Sequence, residues 1–453
     1  MKVLLVQPRQ ADRFYDFVRL PPLGLAYIAA ALRRDGHEVS ILDAAGSSDE
    51  NRDLAAALRR SDPQLVGFSA TTPLMASALA MARRLKTWRP EVRTLFGGVH
   101  ASWKPEAVAA RPEVDYVVFG EGEVTAVELV QALMAGRKPA AVHGVAYRDQ
   151  DRVVVNPPRR LAANLDDLPV PAYDLLPISS YSRPQSSRRV VCSMITSRGC
   201  PYSCIFCDAN LVFGRRYRFH SPERTLQEAF LLKERFGVRE ISFKDSEFTL
   251  DLGRLERLCD LMVAEKLDVR WTCNSRVGRL TEALLGKMHA AGCRTIWFGV
   301  ESGDPQVLRA LKKEITLQAV EETFRLGRRA GIGTVANFLV GSPGESAATL
   351  KKTLDLAMKL NPDYVNFSRL VHYPGTELFE MALASGWIKG TPDSPGGGMN
   401  ATTLSAAALE RGHRRMYRRF YLRPGYLIRR LRRTSPAAWG AHIRGLGKVI
   451  RGA

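Results

Sequence analysis

The sequence predicts an α/β protein of two domains: a doubly wound parallel-sheet domain, then a partial (β/α)6 barrel, ending in a short helical C-terminal region. Three observations predict it. β-branched and aromatic runs alternate with helical stretches in two separate parts of the chain. A proline-dense stretch from Pro157 to Pro177 parts them. The length of 453 residues also exceeds one domain, at roughly 100–200 residues each.

In the first domain, residues 1–140, the strand-like runs are Lys2–Gln7, Val39–Leu42, Gln64–Ser69, Val92–Phe96 and Tyr116–Phe119. Helical patterns lie between them at Pro22–Arg34, Asp49–Arg60, Leu74–Lys86 and Val124–Met134. Ligands on such sheets bind beyond the carboxyl ends of the strands. Those ends carry Gln7-Pro8, Ser69-Ala70-Thr71-Thr72, Gly97-Gly98-Val99-His100 and Gly120-Glu121-Gly122-Glu123. They are small, polar and glycine-rich, which suits close backbone approach to a large ligand. Residues 141–187 read as a hairpin, Val142–Tyr147 with Arg152–Asn156, followed by an extended Pro-rich linker.

The second alternating region, residues 188–385, has strand-like runs at Val190–Thr196, Glu240–Lys244, Arg270–Asn274, Thr295–Val300, Thr334–Val340 and Tyr364–Arg369. Helical patterns separate them. Six units are too few for a closed eight-unit barrel of ~250 residues, so an incomplete barrel is expected.

The formal net charge is +20, from 66 Lys+Arg against 46 Asp+Glu. After Glu410 there are 12 Arg, one Lys and no acidic residue, so the tail supplies +13 and the rest +7. Composition is that of a globular protein, no apolar run reaches the ~20 residues of a membrane span, and MKVLLVQPRQ has no signal-peptide pattern. A cytoplasmic protein is expected. In the tail, residues 386–453, arginines interleave with Tyr417, Phe420, Tyr421 and Tyr426. Nucleic acid, an anionic membrane surface and a helical cap on the barrel all fit that pattern. Pro424-Gly425 splits the run into two short helices and favours the cap.

Seven cysteines are present, none before Cys192, and three fall within eight residues. Ser197-Arg198-Gly199-Cys200-Pro201-Tyr202-Ser203-Cys204-Ile205-Phe206-Cys207 follows directly on the first barrel strand. Its C-x3-C-x2-C spacing suits three corners of an iron–sulfur cube with one iron left open. A structural zinc site would want a fourth ligand and a second pair.

This loop, placed after the first strand of a partial barrel, resembles that of the radical S-adenosylmethionine (SAM) superfamily. The resemblance implies a [4Fe–4S] cluster on Cys200, Cys204 and Cys207, with SAM on the open iron. It implies one-electron cleavage of SAM to a 5′-deoxyadenosyl radical, which takes hydrogen from the substrate. It places Phe206 near the adenine and Glu247, in Lys244-Asp245-Ser246-Glu247, beside the SAM amino group. It implies that Arg276 faces the SAM carboxylate with Ser275 beside it as a further cofactor contact, Glu301 and Ser302 the ribose and carboxylate, and Gly341 the adenine. The motif at Glu247 departs from the family's usual Gly-Gly-Glu.

The first domain resembles the Rossmann-like cobalamin-binding domain of cobalamin-dependent radical SAM enzymes. The stretches that carry this are Leu20-Pro21-Pro22-Leu23-Gly24-Leu25-Ala26-Tyr27, Gly67-Phe68-Ser69-Ala70-Thr71, Phe96-Gly97-Gly98-Val99-His100 and Phe119-Gly120-Glu121-Gly122-Glu123. The cobalamin contacts implied are Pro21, Ser69, Thr71, Gly97, Gly98, His100, Gly120, Glu121 and Gly122. No D-x-H-x-x-G motif follows the first strand, so cobalamin is expected without a histidine from it, and no G-x-G-x-x-G supports a dinucleotide. The methylthiotransferases carry a second cluster in their N-terminal domain, which a chain without cysteine before Cys192 cannot hold.

The resemblance implies methylation of a small-molecule or natural-product substrate through cobalamin. The close alternative is radical dehydration of a 1,2-diol, as in aminoglycoside dehydratases, with Tyr217 supplying a proton or hydrogen. A non-catalytic iron–sulfur or nucleic-acid-binding protein ranks last. A monomer is expected, served by an electron donor of flavodoxin or ferredoxin type, with peripheral membrane contact as the tail's second option.

Overall fold

The computed structural model describes residues 1–10, 19–181, 190–388 and 402–433. The end of the predicted linker, 182–187, and the tail beyond Arg433 lie outside the described residues.

The first sheet has seven strands in the order β2-β1-β3-β4-β5-β6-β7. These are β1 (Lys2–Gln7), β2 (Glu38–Asp43), β3 (Leu65–Ser69), β4 (Arg93–Gly97), β5 (Tyr116–Val118), β6 (Val145–Asp149) and β7 (Arg152–Val155). The first five pair in parallel. The crossovers are α1 (Leu23–Arg34), α2 (Glu50–Ser61), α3 (Met75–Trp88), then two short helices, α4 (Val99–Trp103) and α5 (Pro105–Ala109), with α6 (Gly122–Met134) after β5. A strand covered on both faces must be apolar on both. Along β1, Leu4 and Val6 pack with Phe68 and Phe96 on one side, while Val3 and Leu5 pack with Leu65 and Leu95 on the other.

The hairpin β6–β7 is part of this domain rather than of a linker, because β6 pairs antiparallel with β5 from Tyr116↔Tyr147 to Val118↔Val145. The Pro-rich stretch is also no free spacer. It folds into three 3₁₀ turns, at Leu165–Asp167, Tyr173–Leu175 and Ile178–Ser180, and buries Leu165, Tyr173 and Tyr181.

The second sheet runs β8-β11-β12-β13-β14-β15, six parallel strands in chain order. They are β8 (Val191–Met194), β11 (Glu240–Phe243), β12 (Arg270–Arg276), β13 (Cys293–Glu301), β14 (Gly333–Val340) and β15 (Tyr364–Arg369). Between β8 and β11 stand the small ladder β9 (Ser197–Arg198) and β10 (Arg218–Phe219), the one-turn α7 (Asn210–Phe213) and α8 (Pro222–Phe236). The further helices are α9 (Leu252–Ala264), α10 (Glu282–Ala290), α11 (Pro305–Ala310), α12 (Leu317–Arg329), α13 (Ala347–Leu360) and α14 (Glu377–Ala384). Trp271, Phe243, Phe298, Phe338 and Phe367 fill the core. No pairing joins β8 to β15 among the described residues, so the barrel is open, as six units require.

The tail forms α15 (Ala406–Tyr421) and α16 (Pro424–Arg433). Met416, Phe420 and Tyr426 enter the barrel core. Among the described residues no helix is long and apolar enough to cross a membrane.

Candidate active site

The cysteine loop is held at both ends. β9 and β10 pair antiparallel, Arg198↔Arg218 and Ser197↔Phe219, so the loop leaves and rejoins a two-stranded stem. Gly199, at φ +84°, has no room for a side chain: a Cβ would overlap the Arg216 carbonyl oxygen. Cys200 N donates to Gly214 O at 3.3 Å and Cys207 N to Cys204 O at 3.2 Å. Ile205 is bolted to the barrel mouth, donating to Leu311 O (3.3 Å) and accepting from Leu378 N (2.9 Å). Phe206 packs on the same cluster, with Leu339 and Leu370. Cys200 and Cys204 are half-buried and Cys207 is exposed.

Burial raises the pKa of the Cys200 thiol and pushes that of Cys207 up to about 11. The Arg276 guanidinium lies 3.9 Å over the Tyr202 ring, with Nη1 4.0 Å from Cys204 Sγ. Its Nη2 donates to Glu314 O. Arg279 donates to the Tyr202 hydroxyl at 3.2 Å. Among the described residues no three His, Cys, Asp or Glu side chains converge on one ion. Three thiols spread over one loop beside a guanidinium fit a cluster rather than a single zinc.

The ends of the next strands bring buried carboxylates to the mouth. Asp245 accepts from Thr196 N (3.0 Å), Thr196 Oγ1 (2.9 Å) and Ser197 Oγ (2.6 Å), which ties β11 to the stem; its Oδ2 is unpaired. Glu247 accepts from Thr249 N and, at 2.6 Å, from Thr249 Oγ1, and that hydroxyl lies 2.7 Å from Ser275 Oγ. Burial raises the pKa of both carboxyls above the usual range. Glu301, at φ +65°, accepts from Lys313 Nζ at 2.7 Å in a buried pair. Ser302 Oγ is spent on Thr353 Oγ1 (3.3 Å) and Asp304 N (3.1 Å). Gly341 N donates to Glu345 Oε2; burial pushes the Glu345 carboxyl up to about 7. The Tyr217 hydroxyl is buried, and burial pushes it up to about 12 against the lowering effect of Ser197.

In the first domain Ser69, Thr71, Gly97, Gly98, His100, Gly120, Glu121 and Gly122 stand at or just past the ends of β3, β4 and β5, while Pro21 stands just before α1. Pro21 is buried, while Ser69, Thr71, Gly97, Gly98, Gly120 and Gly122 are half-buried. His100 is buried, with Nδ1 3.2 Å from Thr72 Oγ1. Gly120 N donates to Ser102 Oγ at 2.9 Å. Glu121 does something the sequence did not show. Its oxygens accept from Arg198 Nη1 (3.1 Å), Arg218 Nη1 (3.0 Å) and Ala162 N (2.8 Å). Glu123 takes Arg198 Nη2 at 2.5 Å, and the Arg198 guanidinium lies 5.1 Å over the Tyr27 ring. All four charges are buried. Both arms of the cluster-loop stem are thus clamped to the Gly120–Glu123 turn of the first domain.

An open parallel barrel with three cysteines at its mouth, clamped to a doubly wound domain with a glycine-rich crevice, defines a radical SAM enzyme with a cobalamin-binding domain. The B12 binding domain model matches residues 18–130, and the Radical SAM superfamily model matches residues 194–357. An uncharacterized methyltransferase of Pyrococcus horikoshii is 36% identical over 99% of this chain and 98% of its own. An anaerobic magnesium-protoporphyrin IX monomethyl ester cyclase of Rubrivivax gelatinosus is 30% identical over 84% of this chain and 70% of its own. The solved cobalamin-dependent SAM radical enzyme OxsB, with aqua-cobalamin and SAM bound, shares the fold at a TM-score of 0.76 and 19% identity, over 99% of this chain and 71% of its own. The chain belongs to the cobalamin-dependent radical SAM family of methyltransferase type, and its cofactors are those of the family: a [4Fe–4S] cluster, SAM and cobalamin.

Proposed function

We propose that the protein methylates a small molecule, held between the barrel mouth and the crevice of the first domain. The observation that carries this is the buried clamp of Arg198 and Arg218 on Glu121 and Glu123, which holds the two cofactor regions face to face. The name of the Pyrococcus horikoshii relative agrees with it. When bound, the cofactors supply reductive cleavage of SAM and a transferable methyl group.

The chain's own residues bind and orient. Cys200, Cys204 and Cys207 hold the iron, with the Arg276 guanidinium beside Cys204. Glu247 and Ser275 hold the polar end of SAM, Phe206 and Gly341 flank its adenine, and Glu301 meets the ribose while Lys313 neutralises it. The buried clamp holds the stem of the cysteine loop against the first domain. Dehydration with Tyr217 as donor gains no support from the relatives described above. A single-electron donor of flavodoxin or ferredoxin type completes the turnover of a monomer in the cytoplasm.

The test is anaerobic reconstitution with iron and sulfide, then SAM and a reductant. 5′-Deoxyadenosine is expected from the unmodified protein. Cys204→Ala is expected to bind at most residual iron and to release none. Equal deoxyadenosine from both proteins contradicts the assignment.

A further inference from the structure

Past β15 the chain turns through Leu370–Thr376 before entering α14. His372 stands in this turn, 3% exposed, and neither of its ring nitrogens has a hydrogen-bond partner. Burial keeps the imidazole neutral. A neutral imidazole offers one donor and one acceptor. Buried polar groups are almost always paired, and an orphan calls for an explanation. Two orphaned nitrogens on one buried ring point to a ligand.

The surroundings of the turn indicate which ligand. Gly375 lies against two other elements: an added Cβ would stand 2.5 Å from Trp103 Cδ1 and 2.8 Å from Leu211 Cδ1. Leu211 belongs to α7, the helix just after the cluster loop. Trp103 ends α4, which starts at the Gly97-Gly98 crevice, and its ring is 6.1 Å from that of His100 and 5.2 Å from that of Phe379. The turn is where the last barrel strand, the flank of the cluster loop and the crevice of the first domain meet. The rim of a corrin carries carboxamides, each with a carbonyl acceptor and an N–H donor. A neutral histidine matches such a group on both sides.

We propose that His372 hydrogen-bonds a rim carboxamide of cobalamin from the barrel side and positions the corrin against the barrel mouth. This rests on the assignment of cobalamin to the crevice.

Aquacobalamin is titrated into the reconstituted protein, with binding read by equilibrium dialysis. His372→Phe is expected to raise Kd roughly five- to tenfold, as loss of a hydrogen bond does. His372→Gln keeps a donor and an acceptor and is expected within about twofold of the unmodified protein, with iron content unchanged in both. Equal Kd for His372→Phe and the unmodified protein overturns the proposal, as does a Gln variant as weak as Phe. The unmodified protein gives an independent reading, since amide hydrogen exchange in residues 370–376 should slow on cobalamin binding; unchanged exchange overturns the proposal. If the unmodified protein binds no aquacobalamin at all, the crevice assignment itself falls, a distinct result.

Discussion

Glu301 and Lys313 form a pair that neither residue could sustain alone in the barrel mouth. Their contact at 2.7 Å is buried on both sides, and Gly299 makes the space: a Cβ there would lie 2.5 Å from Glu301 Oε1 and 2.7 Å from Lys313 Nζ. Breaking such a pair from one side leaves a buried charge uncompensated. Lys313→Met is therefore expected to destabilise the fold by roughly 3–5 kcal/mol, with part recovered in the Glu301→Gln/Lys313→Met double variant; denaturant unfolding of the three proteins measures it. Additive losses would contradict direct pairing. Glu301 was legible in the sequence because it ends a barrel strand, where functional residues gather. Lys313 was not. Nothing in Leu311-Lys312-Lys313 distinguishes it from Lys312, which pairs with Glu377 on the surface. Arg198 lay inside the cysteine motif, yet its partners come from 75 residues or more upstream, where no local pattern points.

The exposed edge of β15 is an open row of backbone donors and acceptors, and the tail closes it with side chains. Tyr421 OH accepts from Val365 N (3.0 Å) and donates to Val365 O (2.7 Å). Tyr417 OH accepts from Phe367 N (3.1 Å), and His413 Nε2 donates to Phe367 O (2.6 Å). Covering an edge strand this way blocks pairing between copies. Tyr421→Phe removes two of these bonds and is expected to cost about 1–3 kcal/mol, read as a lower midpoint in urea; no change would show the cap to rest on apolar packing alone. The aromatic and basic spacing of the tail allowed three readings from sequence, and the structure gives its hydroxyls to a strand edge. The hairpin β6–β7 was likewise legible as an element, but its partner β5 was not, because pairing across 30 residues leaves no local signature.

At the scale of the whole molecule, the Pro-rich stretch and the clamp make one body of two domains. Tyr173 of that stretch donates to Glu228 Oε1 of α8 at 2.7 Å. Burial is the main cause that pushes the Glu228 carboxyl up to about 7, against the lowering effect of the Tyr173 bond. The folded state then binds a proton that the unfolded state releases near pH 4.5, so stability is lost as pH rises from about 4.5 through 7. Glu228→Gln cannot ionise, and its thermal midpoint should fall less than that of the unmodified protein between pH 5 and 8, by the equivalent of roughly 2–3 kcal/mol. Parallel pH profiles for the two proteins would contradict this. The order of domains and the open barrel were legible because strand and helix periods repeat regularly; the way the domains dock was not, since it rests on buried charges from distant segments. The central claim, that the two cofactors serve methyl transfer, is tested most directly by following the label from [methyl-13C]SAM. With cluster, reduced cobalamin and SAM present, the label is predicted to appear on cobalamin bound to this protein. Deoxyadenosine formation with no label ever reaching bound cobalamin would contradict it.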